Sequence, residues 1–484
     1  MAARCCALSA LLLGACASTA WQLEPSPEIA APAAWSINTT ATGEPTSLAQ
    51  WWQRFDDPLL ADLVKQALQN NTSVNTARAA LRQAWALRDV AAAALWPTLA
   101  GSASAQHGTS GGNSTGNVFK AGLNANWALD VFGANRSALN AGTASAEASA
   151  ASLGDMRVAI ASELGLNYIL LRSAQARLVI ANANLANQEE ILQITRWRQQ
   201  AGLVTVLEVE QARASAEQTR AQLPALQTGI EQSRHALAVL TGQPPAALAQ
   251  VLSAAIPVPQ PAADIALNIP AETLRQRADV RVAERKVAAA LARVAQADAA
   301  RFPGFALGGS LGLSALTLGA LTNGASVISA ILASMSVPIV DGGAARAQVR
   351  AQQAAFDQAR LAYQAVTLTA LKEVEDALIA LAGDRQRLVS LSTAADAAAT
   401  AALLARQRYS SGLVDFQVVL ETQRTQFSTQ DSMASAGADV SADHVRLYKA
   451  LGGGWSRADT GADAFPALAA GTSPTTNTTR APTP

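Results

Sequence analysis

The chain has 484 residues, half of them apolar, and its 36 Lys and Arg balance 36 Asp and Glu. A formal net charge of zero leaves no electrostatic footprint for nucleic acid or another polyanion. The three cysteines, Cys5, Cys6 and Cys16, fall within the first 16 residues, so the rest of the chain has neither a disulfide framework nor a cysteine metal site.

Catalytic motifs are absent as well. His107, His235 and His444 are scattered without ligand spacing. There is no HExxH, no GxSxG and no phosphate loop, and the glycines of GGSLG at Gly308 read as part of a strand. No enzyme activity, cofactor or metal is expected.

Residues 1–16 read MAARCCALSALLLGAC. One arginine, a short apolar core and small residues before Cys16 make the layout of a secretory signal. Leu13-Gly14-Ala15-Cys16 resembles a bacterial lipobox, which implies that Cys16 becomes the lipidated first residue. By the sorting rule that accompanies such boxes, Ala17 permits export to the outer membrane, where Asp would retain the chain at the inner one. Acyl chains add about 0.8 kcal/mol per buried methylene. Residues 17–50 are expected to form a polar linker. No later segment reads as a transmembrane helix, because the best apolar stretch, residues 327–340, falls short of the roughly 20 residues needed.

From Trp51 to Gly453 the chain is written twice. Trp96-Pro97 matches Phe302-Pro303 at a shift of 206 residues, and Gly133 and Arg136 match Gly343 and Arg346 at a shift of 210. Gly202-Leu203-Val204 matches Gly412-Leu413-Val414 at the same shift. The first copy is taken as residues 51–241 and the second as 271–453. A Pro-rich segment, 242–270, joins them.

Each copy predicts a helix (58–95, 271–300) that stops before a proline. A β-hairpin follows (97–131, 303–340). In the first hairpin Phe119, Leu123 and Trp127 alternate with Lys120, Asn124 and Asn126; in the second Leu307 and Leu311 alternate with Gly308 and Ser310. Turn residues place the hairpin tips at 110–116 and 319–324. Next come very long helices, 134–200 and 344–410, each roughly 100 Å at about 1.5 Å per residue. Leu371, Val374, Leu378 and Leu381 repeat at coiled-coil spacing, as do Leu164, Tyr168 and Leu171. Turns at Gly202-Leu203 and Gly412-Leu413 lead into returning helices that end near residues 240 and 451. Pro224 should break the first of these. Residues 454–484 read as a disordered tail.

Four strands per chain cannot close a barrel in lipid, where an open edge leaves backbone groups unpaired. Several chains must pool strands, and three would give twelve. Alternation then turns Phe119, Leu123, Trp127, Leu307 and Leu311 toward lipid, with Lys120, Asn124, Asn126 and Ser310 lining a wet lumen. A soluble hairpin over a dry core would alternate equally well; the export signal, the repeat and the long helices favour the membrane reading.

The ordered motifs WWQRFDDPLLADLVKQALQNN (from Trp51), WALDVFGANR (from Trp127), LPALQTGIEQSRHALAVLTGQPP (from Leu223), RADVRVAERKVAAALARVAQADAARFP (from Arg277) and PIVDGGAARAQVRAQQAAFDQARLAYQAVTLTALKEVEDAL (from Pro338) resemble the outer membrane factor family. These are TolC-like ducts, and the likeness is to their lipidated NodT-type subgroup. The resemblance implies an α+β membrane fold in which a trimeric twelve-stranded barrel continues into a periplasmic helical barrel. It implies a periplasmic adaptor and an inner-membrane, proton-driven RND-type pump as partners. It also implies a periplasmic gate beyond the second-copy turn. There Glu421 stands where the family usually has Asp, Arg424 matches the family's arginine, and Asp415 is a further candidate. Two other readings remain open: the duct of a type I protein secretion system, and a periplasmic coiled-coil adaptor lipoprotein.

Overall fold

A computed structural model describes residues 34–35, 48–109, 115–261, 270–322 and 324–456. Cys16 lies outside them, as does most of the expected linker. The chain enters through a 3-10 turn, Trp51–Phe55. Helices α1 (Pro58–Asn70) and α2 (Thr72–Ala93) lead to strands β1 (Thr98–Thr109) and β2 (Thr115–Leu129). Then come α3 (Ala134–Gln200), α4 (Val206–Arg220) and α5 (Leu223–Leu240). The second copy runs α6 (Pro270–Gln276), α7 (Ala278–Ala299), β3 (Gly304–Ala315), β4 (Val327–Ser336), α8 (Ala344–Ser410) and α9 (Phe416–Ala450). Most of the described chain is helical, with one small sheet of order β1-β2-β3-β4 and every pair antiparallel.

The two long helices, α3 and α8, have 67 residues each. The returning helices differ for a reason visible in the sequence. Pro224 takes the second position of α5, where its missing N–H costs nothing, and the chain breaks between α4 and α5. The second copy has Ala434 at the matching position, and α9 runs unbroken for 35 residues.

The leading helices correct one expectation. The sequence predicts each as continuous, but each is broken by one extended residue, Asn71 (φ −58°, ψ 134°) and Arg277 (φ −69°, ψ 132°). These residues are 206 positions apart, the shift of the Trp-Pro and Phe-Pro pairs. Asn71 accepts hydrogen bonds from the N–H groups of Ser73 and Val74, so it starts α2. Its Nδ2 donates to the carbonyl of Leu240, the last residue of α5, at 3.0 Å. Arg277 donates through one guanidinium nitrogen to the carbonyl of Ala450, the last residue of α9, at 2.7 Å. Leu240 and Ala450 are themselves 210 apart. Each copy is thus latched by the same bond, made by different side chains. Gly242 and Gly452 follow those helix ends at φ 75° and 77°, a conformation that glycine adopts without a Cβ penalty.

The main core lies around the midpoint of the helices. Trp51 stacks on Tyr448 at 5.5 Å and meets Phe55 edge-on at 5.9 Å. Leu164, Tyr168, Leu171, Val374, Leu378 and Leu381 are all buried, so the coiled-coil spacing marks true core. Tyr168 donates to Asp57 at 2.7 Å and accepts from Arg172 at 3.0 Å. Desolvation, followed by the hydrogen bond to Asp57, pushes the Tyr168 hydroxyl pKa well above the ordinary phenol value. Arg172 and Gln175 also donate to the carbonyls of Ala254 and Leu252. Those bonds strap the inter-copy segment around the bundle.

Two further boundaries shift. Trp35, inside the expected linker, is buried. Gly454 and Trp455, inside the expected tail, belong to the fold: Gly454 donates its N–H to the carbonyl of Leu48, and Trp455 packs against the bare Cα of Gly154. A large aromatic side chain recovers more by docking on a glycine than a Pro-rich context suggests. Helix α8 is also long and apolar enough by composition to cross a membrane, contrary to the sequence expectation that no segment is. Alanine supplies much of that apolarity. Arg387 and Arg406 on α8 pair with Asp439 and Glu190 of neighbouring helices, so the helix belongs to the bundle.

Close packing sets a clear test. A Cβ on Gly165 would sit 2.7 Å from the ring of the fully buried Trp51, whereas one on Gly229 would meet nothing within 4 Å. Gly165→Ala should lower stability by about 1–3 kcal/mol, and Gly229→Ala should raise it by up to about 1 kcal/mol. Urea midpoints of the detergent-solubilised protein measure both.

Candidate functional site

Strand register sorts the hairpin side chains onto two faces. Leu123 lies opposite Leu311, Trp127 opposite Leu307 and Phe119 opposite Ala315, all on one face. Leu99 of β1 and Ile331 and Met335 of β4 join them. The other face carries Lys120 opposite Ser314, Asn124 opposite Ser310 and Asn126 opposite Gly308. Across to β1, Asn124 Nδ2 donates to Ser102 Oγ at 3.0 Å. The sequence-predicted residues therefore fall into their two groups. Strand β4 departs from the polar pattern, because Ile328 and Leu332 lie on the Asn124 face opposite Gly312 and Gly308. The second hairpin tip is also less simple than a turn: two short 3-10 turns, Leu318–Thr322 and Gly324–Ser326, fill it. The first tip, 110–114, lies outside the described residues.

Aromatic side chains gather where strands meet helices. Trp127 Nε1 donates to the carbonyl of Leu95 at 3.0 Å, Trp96 is 72% exposed, and Phe132 stacks on Phe302 at 4.8 Å. Girdles of aromatic residues at such a level are a mark of a membrane–water interface.

Two aspartates start the long helices, and sequence reasoning missed both. Asp130 accepts from the N–H groups of Asn135 and Arg136 at 2.9 and 2.8 Å. Asp341 accepts from Gly343 and Ala345 at 2.8 and 2.9 Å. The bonds from Ala345 and Gly343 hold the Asp341 carboxyl below its ordinary range. Gly133 and Gly343, at φ 80° and 87°, make the turn between cap and helix. The signal was an Asp two or three residues before the glycine that opens each long helix.

At the far end both long helices stop in the same way. Gly202 and Gly412 have φ 75° and 73°. The N–H of Leu203 reaches the carbonyl of Arg198 at 2.8 Å, and that of Leu413 reaches Arg408 at 2.9 Å. These are Schellman closures. They leave Leu203 and Leu413 73% and 74% exposed. Thr205 and Glu208 form a capping box at the start of α4, and Asp415, at the position matching Thr205, is the N-cap residue of α9.

Glu421 and Arg424 are both exposed on α9, and no ion pair joins them among the described residues. Other pairs tie the two copies together. Arg177 grips Asp431 through two bonds of 2.6 and 2.9 Å, and Arg406 meets Glu190 at 2.6 Å. Within the first copy, Arg220 pairs with Glu189 and Glu217. Beneath them Ile191, Leu192, Ala212, Phe416, Val419 and Leu420 form a small apolar core. Arg198 lies over the Tyr409 ring at 4.5 Å. Exposed pairs of this kind contribute about 0–1 kcal/mol each, so the apolar plug does most to hold this end.

Comparison with known proteins agrees with this geometry. A family model described as outer membrane efflux protein matches residues 63–243 and 269–453. Nodulation protein T of Rhizobium leguminosarum bv. viciae is 31% identical over 431 residues, spanning 89% of each chain. The pyoverdine export outer membrane protein OpmQ of Pseudomonas putida is 31% identical over 444 residues, spanning 89% of this chain and 93% of that one. The solved outer-membrane channel OprN superposes with a TM-score of 0.83 at 36% identity, over 89% of this chain and 98% of that one. The fold and the repeat define a TolC-like outer-membrane channel. The chain belongs to the outer membrane efflux protein family, resides in the outer membrane and extends into the periplasm.

Proposed function

We propose that three copies of this chain close into one duct, which passes small molecules from a periplasmic adaptor and an inner-membrane, proton-driven RND-type pump to the exterior. The observation that carries this reading is the open sheet. The outer edges of β1 and β4 have no strand partner among the described residues, and the strand order is linear and antiparallel throughout. In such an order β4 of one copy runs antiparallel to β1 of the next, so copies join edge to edge without a reversal. The strands have 10–15 residues, enough for a tilted span of about 9–11.

In that assembly the Phe119, Leu123, Trp127, Leu307, Leu311 face meets lipid. The Lys120, Asn124, Asn126, Ser310 face lines the lumen. The tip turns at Gly202-Leu203 and Gly412-Leu413 point toward the adaptor. Glu421 and Arg424, exposed and three residues apart on one helix face, pair between copies around the entrance in this reading, with Asp415 nearby. Cys16 carries the lipid. Names of relatives that specify pyoverdine export and toluene efflux favour small-molecule efflux over protein secretion.

Three measurements test the reading. The purified protein should migrate in mild detergent as a heat-sensitive trimer; a soluble monomer would sink the duct. Replacing Glu421 and Arg424 together by Ala should raise conductance in planar bilayers, and an unchanged value removes their gate role. Cys16→Ser should lose its acyl chains by mass spectrometry while its export persists. An acylated Cys16→Ser protein contradicts the lipid assignment.

A further inference from the structure

Lys120 is the only Lys, Arg, Asp or Glu within the four strands, and no other occurs anywhere in residues 97–129 or 303–340. An isolated charge in a membrane strand is costly against lipid and is tolerated where it faces water. Register puts Lys120 on the Asn124 and Ser310 face, between Ser104 of β1 and Ser314 of β3. Its side chain is exposed, and no hydrogen bond or ion pair neutralises it among the described residues. The next position along this face is Gly122, which lies opposite Gly312. A Cβ on either would come within 2.9 Å of the other strand's backbone. The wall beside the lysine is therefore bare, and its stem has room to extend.

We propose that Lys120 forms a ring of three fixed positive charges in the outer half of the duct, which favours anionic solutes over cationic ones at the exit. This rests on the trimeric duct proposed above. Twelve strands spaced about 4.8 Å apart and tilted about 40° enclose a backbone diameter of about 24 Å. Lysine's four-carbon stem carries the ammonium roughly halfway from wall to axis. The remaining gap is comparable to the Debye length of about 8 Å at physiological ionic strength, so the ring acts across the lumen. Rings of lysine or arginine are the usual device of anion pores. The matching chemistry is a solute bearing carboxylate, phosphate or sulfonate.

The test is the reversal potential of the purified full-length protein in planar bilayers under a potassium chloride gradient near 10 mM. Lys120→Gln should lower the anion-to-cation permeability ratio about two- to fivefold, and Lys120→Glu should lower it further. Lys120→Arg should match the parent and shows that the site tolerates substitution. All differences should vanish at 1 M salt, where the Debye length is about 3 Å. Equal reversal potentials for the parent, Gln and Glu proteins at 10 mM, with conducting channels in each, overturn the ring while leaving the duct intact. A parent protein that forms no channel overturns both.

Discussion

A strand edge cannot be left open to hydrocarbon. With no water to bind them, unpaired N–H and C=O groups cost several kcal/mol each. The ten residues of β4 and twelve of β1 present such edges on both sides of the sheet. No rearrangement within one chain removes them, because the order β1-β2-β3-β4 is linear and four strands are too few to curl shut. On the proposed reading the fold is therefore one third of a closure that two further copies complete. The helices inherit that geometry. Asp130 and Asp341 hand each hairpin directly to a 67-residue helix, so where the strands sit around the barrel decides where the helices stand beneath it.

Within one chain, closure is solved twice by the same device. The break residues Asn71 and Arg277 bond the final carbonyls of α5 and α9. The bond survives although one donor is a neutral amide and the other a guanidinium that also binds Asp279 and Glu373. What the two copies share here is a backbone geometry, an extended residue facing an orphan helix-end carbonyl, and several donors satisfy it. That is why the latch was not legible. Aligning the copies by identity finds glycines and prolines, which are demanded by φ, and passes over positions where different side chains do equal work. The same logic explains the split leading helices. Neither Asn71 nor Arg277 is a conspicuous breaker in sequence, whereas Pro224 is.

The two faces of the sheet were legible because period two is a direct consequence of strand geometry. So were the tips at Gly202 and Gly412, where only the left-handed turn lets a long helix close its last carbonyls. Strand β4 escaped the pattern: Ile328 and Leu332 share a face with Asn124 and Ser310, so its apolar run marks strand identity without marking orientation. Ion pairs such as Arg177 with Asp431 join residues 254 apart, and no local spacing reveals them. Glu421 and Arg424 are a different matter. Helical spacing correctly puts them on one side of α9, but a partner in another copy lies beyond what a single chain displays.

A duct driven from elsewhere must hold its cargo weakly. Conduction fails when a wall binds too well, and a wall mostly of small and amide side chains, interrupted by Ile328 and Leu332, offers little to bind. The charge distribution follows the same principle. Near the tip, arginine and carboxylate neutralise each other in pairs such as Arg406 with Glu190 and Arg220 with Glu189, and the chain as a whole balances to zero. Against that neutral background one unpaired cation per chain in the strands is not diluted. In the proposed trimer it is the principal fixed charge of the barrel, and its field at the axis is set by salt and by the radius of a twelve-stranded wall. In the proposed duct, discrimination at this level sorts by charge sign alone, which leaves recognition of particular molecules to the proposed inner-membrane pump.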